Sequence, residues 1–120
     1  MNKLFESYIG YICKKRFSNV KLQEKKYRLF ENKKKFSLIP DIVINNDIII
    51  DTKWKIINNE NDISQADLYQ MFAYASKYQA KRVYLMYPLI NDNPKFEYKI
   101  KLCNKDILLK VIYYKLKDIK

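Results

Sequence analysis

The chain of 120 residues has no histidine, one glycine, two cysteines and three prolines. Without histidine there can be no serine or cysteine triad built on an imidazole, no His-dependent zinc hydrolase and no His-metal finger nuclease. With Gly10 alone, neither a Walker loop nor a dinucleotide fingerprint can be written, so a nucleotide-driven motor would have to be another chain. Cys13 and Cys103 are far apart and cannot complete a four-ligand zinc site; they are expected to be reduced core residues. No apolar run reaches the roughly 18 to 20 residues of a membrane span, and the N-terminus lacks a signal-peptide apolar core with its cleavage site. The expectation is a soluble cytoplasmic protein with no membrane role.

What is present is 48% hydrophobic residues, enough for the core of one domain. Lys and Arg number 24 against 13 Asp and Glu, a net charge of +11. That excess favours a polyanionic partner, nucleic acid first, through counterion release and steering. Abundant Lys, Asn, Ile and Tyr is also what AT-rich coding produces, so charge alone does not select the partner.

Leu4, Phe5, Tyr8, Ile9, Ile12 and Cys13 recur at helical spacing, which predicts an amphipathic helix from Asn2 to about Phe17. A short β-prone segment, Lys25 to Phe30, precedes the charged run "ENKKK", Glu31 to Lys35, which reads as a turn. Strands are predicted over Phe36 to Ile44 and Asp47 to Ile56. Asp62 with Gln65, or Ser64 with Asp67, can cap a helix carrying an apolar stripe of Leu68, Met71, Phe72, Ala75 and Tyr78. A strand follows, Arg82 to Pro88, then the loop Leu89 to Pro94 and a hairpin of Phe96 to Leu102 with Ile107 to Leu116. This order predicts an α/β fold, a mixed sheet flanked by helices on its faces in about three layers.

The stretch "LIPDIVINNDIIIDTKWK", Leu38 to Lys55, sets aspartates among isoleucines. Strand alternation puts Asp51, Lys53 and Lys55 on one face and Ile50, Thr52, Trp54 and Ile56 on the other, so that Trp54 should be core. If Asn45 to Asp47 form a three-residue turn, Ile44 pairs with Ile48 and Asp41 falls opposite Asp51. Opposed Cβ atoms lie about 4.5 to 5.5 Å apart, where like charges destabilise a sheet. Lys53 could neutralise them as a structural ion pair. A divalent cation is the other answer: two carboxylates and a backbone carbonyl, that of Thr52, suit Mg²⁺ or Mn²⁺. Lys53 would then stand near a metal-bound water and a phosphate under attack, which fits phosphodiester hydrolysis.

"IPD", Ile39 to Asp41, followed by "DTK", Asp51 to Lys53, looks like the PD-(D/E)xK nuclease motif. "QMFAY" matches the QxxxY pattern of RecB-like members, with Gln70 and Tyr74 on one helix face with Asp67. The run "IIIDTKWK…DLYQMFAYASKY…VYLMYP" resembles the McrC family, the nuclease subunit of the McrBC methylation-dependent restriction system. The resemblance covers roughly Leu4 to Pro88. It implies a restriction endonuclease-like fold and Mg²⁺-dependent cleavage of double-stranded DNA, driven by a McrB-like GTPase partner. It also implies Asp41 and Asp51 as metal ligands, Lys53 as the catalytic lysine, and Gln70 and Tyr74 bordering the site. Glu6 in "LFESYIG" matches a further acidic ligand from the first helix; its alternative is an acidic residue favoured by the helix dipole.

Residues 1–120 are expected to form a single nuclease domain without the N-terminal region that McrC proteins use to engage the GTPase. Cutting both strands would call for two active sites and hence dimerisation. Other readings on the same fold are a RecB-like exonuclease, a junction resolvase, or an inactive DNA-binding module. Lys55 reads equally as a backbone contact and as a solvated strand end. Asp67 reads first as a helix-start residue, and most tyrosines as core and sheet faces.

Overall fold

The structure, a computed structural model, describes residues 2–25, 27–90, 93–102 and 105–115. Cys103 and the Leu116 end of the last expected strand lie outside them. Helix α1 (Asn2–Arg16) leads to β1 (Val20–Leu22), β2 (Tyr27–Phe30), β3 (Lys33–Leu38), β4 (Ile42–Ile44) and β5 (Ile48–Thr52). A 3-10 turn (Glu60–Asp62) precedes α2 (Gln65–Tyr78), and β6 (Arg82–Leu89), β7 (Phe96–Leu102) and β8 (Lys105–Lys115) follow.

The main sheet runs β1-β4-β5-β6-β8-β7, with β2 and β3 forming a separate ribbon. The pairs β4/β5 and β7/β8 are antiparallel, whereas β5/β6 and β6/β8 are parallel. Parallel neighbours need a crossover, and α2 supplies it between β5 and β6. The central strands are buried on both faces, which is why they read as unbroken apolar runs. Val43, Ile49, Val83, Leu85 and Tyr87 pack with Met71, Tyr74, Ala75 and Tyr78 of α2. On the opposite face Ile42, Ile44, Ile50 and Met86 pack with Phe5, Ile9 and Cys13 of α1. The expected mixed sheet between helices is therefore what forms. Among the described residues no helix is long and apolar enough to cross a membrane.

Several expectations change in detail. The Phe36–Ile44 strand is two strands in two different sheets, broken at Pro40, which has no N–H to give a ladder and a fixed φ. The "ENKKK" run turns only at Glu31 and Asn32; Lys33 to Lys35 open β3, because pairing in a ribbon demands backbone partners rather than a core. β1 went unforeseen, being only three residues long. The strand expected to reach Ile56 ends at Thr52. Ser64 caps α2 by accepting from the Asp67 amide, while Asp62 closes the 3-10 turn. Leu4 and Phe72 are exposed, and Tyr74 takes the buried place on α2 that Phe72 was expected to hold.

Candidate active site

The β4–β5 turn sets the register. Asn45 and Asn46 both adopt positive φ, 54° and 61°, a backbone region asparagine tolerates better than most residues. Ile44 consequently faces Ile48, and Ile42 faces Ile50, as the three-residue turn predicted. One step further, Asp41 has left the ladder but still meets Asp51: its backbone N–H donates to Asp51 Oδ1 at 3.1 Å. Asp41 Oδ2 accepts from the Thr52 amide at 2.9 Å and from the Thr52 hydroxyl at 2.8 Å. The two carboxylates thus stand side by side at the C-terminal end of β5, Asp51 only 2% exposed.

Lys53 is the cation between them and α2. Its backbone N–H continues the link to β6 by donating to Met86 O at 2.9 Å. Its Nζ lies 3.3 Å from Asp51 Oδ2 and 3.5 Å from Asp67 Oδ1, and donates to Gln70 Oε1 at 3.1 Å. Tyr74, one turn beyond Gln70 and buried, donates its hydroxyl to Ile39 O at 3.2 Å, tying the Ile39–Asp41 segment to α2. Glu6 approaches from α1 on the other face, with Gln23 between: the Gln23 side-chain amide donates to Glu6 Oε2, and to Asp41 Oδ1 at 3.1 Å. Gln23 is itself fixed at φ 52° by its N–H to Asp41 O.

Burial and the neighbouring Asp41 charge push the Asp51 carboxyl up to about 7, against the pull of Lys53. Burial also raises Glu6, with Asp41 adding to it. For Lys53 burial pulls downward, but Asp51 and Asp67 outweigh it and leave the ammonium above its ordinary range. The aspartate pair is therefore short of positive charge: among the described residues Lys53 is the lysine beside it, while Lys3 acts on Glu6.

Each carboxylate has about four acceptor positions. Asp51 engages the Asp41 amide and Lys53, and Asp41 engages Thr52 twice and Gln23 once, so both keep oxygen lone pairs toward the cleft. Hard oxygen donors with an unmet need for positive charge fit a divalent cation such as Mg²⁺. Among the described residues no three His, Cys, Asp or Glu side chains gather closely enough to hold an ion. The carboxylates that adjoin one another are the aspartate pair, with Glu6 linked to Asp41 through Gln23.

All six side chains singled out in the sequence, Glu6, Asp41, Asp51, Lys53, Gln70 and Tyr74, line one cleft of about 250 Å³. Thr52 lines it too, and its amide and hydroxyl both donate to Asp41. Trp54, expected in the core, is half-buried: it packs against Phe5 and the α1-side core that holds Ile50, the face strand alternation assigned it, and it also lines the cleft. Asp67 is both helix-start residue and Lys53 partner. Gln23 was missed; it follows a strand too short to read, and nothing in the local pattern marks it.

No curated protein matches the chain. Among solved structures it is similar to a chain of the half-complex from the tetradecameric assembly of Thermococcus gammatolerans McrB AAA+ hexamers with bound McrC, with a TM-score of 0.73 at 20% identity. The likeness covers 99% of this chain but 29% of the other, so the protein spans under a third of that chain's length. At that identity it speaks for the fold. A family match over residues 1–88 covers the helix, the hairpin and the whole of α2, and by it the chain belongs to the family of McrBC 5-methylcytosine restriction system components.

Proposed function

We propose that the chain is the nuclease part of a McrC-like subunit, hydrolysing DNA phosphodiester bonds in a modification-dependent restriction system. The observation that carries this reading is the convergence of Asp41, Asp51 and Lys53 at the end of one central strand, with Lys53 Nζ 3.3 Å from Asp51 Oδ2. The PD-(D/E)xK and QxxxY patterns describe the same residues.

Asp41 and Asp51 would hold Mg²⁺, or Mn²⁺, which when bound supplies Lewis-acid polarisation of the phosphoryl oxygen and an acidified water. Lys53, kept protonated by its carboxylate neighbours, offers its charge where negative charge develops on the phosphorane. Gln70 and Asp67 hold the ammonium in place against α2. Tyr74 and Gln23 act at one remove, fixing the backbone and the carboxylate of Asp41. A McrB-like GTPase is the proposed partner, and a second copy of the site would serve the second strand.

The test is cleavage of a circular plasmid with Mg²⁺ and with EDTA, by the chain alone and with its GTPase partner on methylated and unmethylated DNA. Cutting that needs Mg²⁺ and disappears in Asp51→Ala and Lys53→Ala is expected. Metal-independent cutting, or full activity in both variants, overturns the assignment. Degradation of linear but not circular DNA would instead indicate an exonuclease.

A further inference from the structure

Beside the active-site cleft lies a second groove of about 400 Å³, lined by Trp54, Lys55, Ile56, Pro88 and Ile90. Trp54 is the wall the two share. We propose that this groove receives an unpaired nucleobase of the DNA strand whose phosphate lies at Lys53. The inference rests on the nuclease reading only for what occupies the neighbouring cleft.

The floor and walls are apolar: Pro88, near the end of β6, is buried, while Ile56 is 54% exposed and Ile90 42%. Phe5 meets the Trp54 ring edge-on, centroids 5.5 Å apart at 65°, which holds the indole in one orientation while leaving it half-buried. Among the described residues the one charged side chain lining the groove is Lys55, which is exposed, and Lys53 stands in the adjoining cleft. An apolar slot with a fixed aromatic wall and lysines beside it suits a base with its phosphate attached. Its volume lies within the roughly 300 to 1,000 Å³ of ligand pockets. Trp54 N–H and Lys55 aside, the lining side chains have no group to read a base edge, so the slot should accept any base. The occupant is a nucleotide already unpaired or turned out of the duplex, as enzymes that work on extruded bases require.

Trp54 is the protein's sole tryptophan, so its fluorescence reports on this wall directly. In EDTA, where nothing is cut, titration with single-stranded oligothymidylate should quench it saturably, and oligodeoxyadenylate should do so with similar affinity. The Ile56→Ser/Ile90→Ser double variant, altered only at exposed side chains, should melt like wild type and bind about fivefold or more weakly, through loss of the apolar contact that faces the base beside Trp54. Absence of quenching, equal quenching by inorganic polyphosphate, or unchanged affinity in the double variant overturns the proposal. Plasmid cleavage without quenching removes the groove and keeps the nuclease; quenching without cleavage supports the groove and removes the nuclease.

Discussion

Replacing Asp51 by asparagine should make the metal-free protein more stable at pH 8, although it removes a residue the reaction needs. Asp51 is buried beside Asp41, and its carboxyl sits at about 7 in the fold against an ordinary 3.8. Below pH 3.8 both folded and unfolded chains hold the proton and there is no penalty. As pH rises from 3.8 to 7 the unfolded chain releases it first, so stability falls at up to about 1.4 kcal/mol per pH unit for this group. Above pH 7 the loss levels off at about 4 kcal/mol, an upper figure because the buried site relaxes. The attraction of Lys53 is already inside that balance, since it opposes the upward push. Asparagine keeps an oxygen for the Asp41 amide and carries no charge. Urea unfolding in EDTA at pH 5, 6, 7 and 8 should therefore show Asp51→Asn gaining on wild type with pH, by about 2 to 4 kcal/mol at pH 8. A gap that does not grow with pH, or a variant less stable than wild type at pH 8, refutes the account of Asp51 as an ionised carboxylate short of positive charge.

Other outcomes follow from the same geometry. Mg²⁺ at about a hundred times its Kd should stabilise wild type by about 2.7 kcal/mol at pH 8, and Asp51→Asn and Asp41→Asn much less, as read by thermal melts. Lys53→Met should abolish plasmid cutting yet keep the Mg²⁺ melting shift, separating the lysine from metal holding; loss of the shift would contradict that division. Tyr74→Phe should cost about 1 kcal/mol in urea unfolding, the value of its bond to Ile39 O, and cleavage should weaken as the Asp41 segment loosens. Tyr87 is fully buried, and among the described residues its hydroxyl has no hydrogen-bond partner. Tyr87→Phe should therefore be neutral or stabilising by about 1 kcal/mol, and clear destabilisation would mean the hydroxyl has a partner.

Local chemistry carried much of this structure into view from residues alone. The Asn-Asn turn dictated the hairpin register, because positive φ at both positions and a two-residue side-chain period leave one pairing that buries Ile42, Ile44 and Ile50. That register set Asp41 beside Asp51 and Lys53 toward α2. Helical periodicity likewise placed Asp67, Gln70 and Tyr74 on a common face. What depended on the assembled fold is of another kind. Pro40 sends the chain from the β2–β3 ribbon into the main sheet; β2 falls within the expected β-prone segment Lys25 to Phe30, but its pairing with β3 apart from the main sheet did not follow from local pattern, and β1 is too short to announce itself. Gln23 joins Glu6 to Asp41 across 17 and 18 residues of sequence. Trp54 packs against the α1-side core as alternation predicts and also walls the cleft, a second role that only the packing of α1 beside β5 creates. Sequence by itself determined the pieces whose geometry is local, a turn, a strand face, a helix face; the tertiary structure decided which of those pieces meet, because only packing brings α1, β5 and α2 to one end of the sheet and sets a buried carboxylate beside a single lysine.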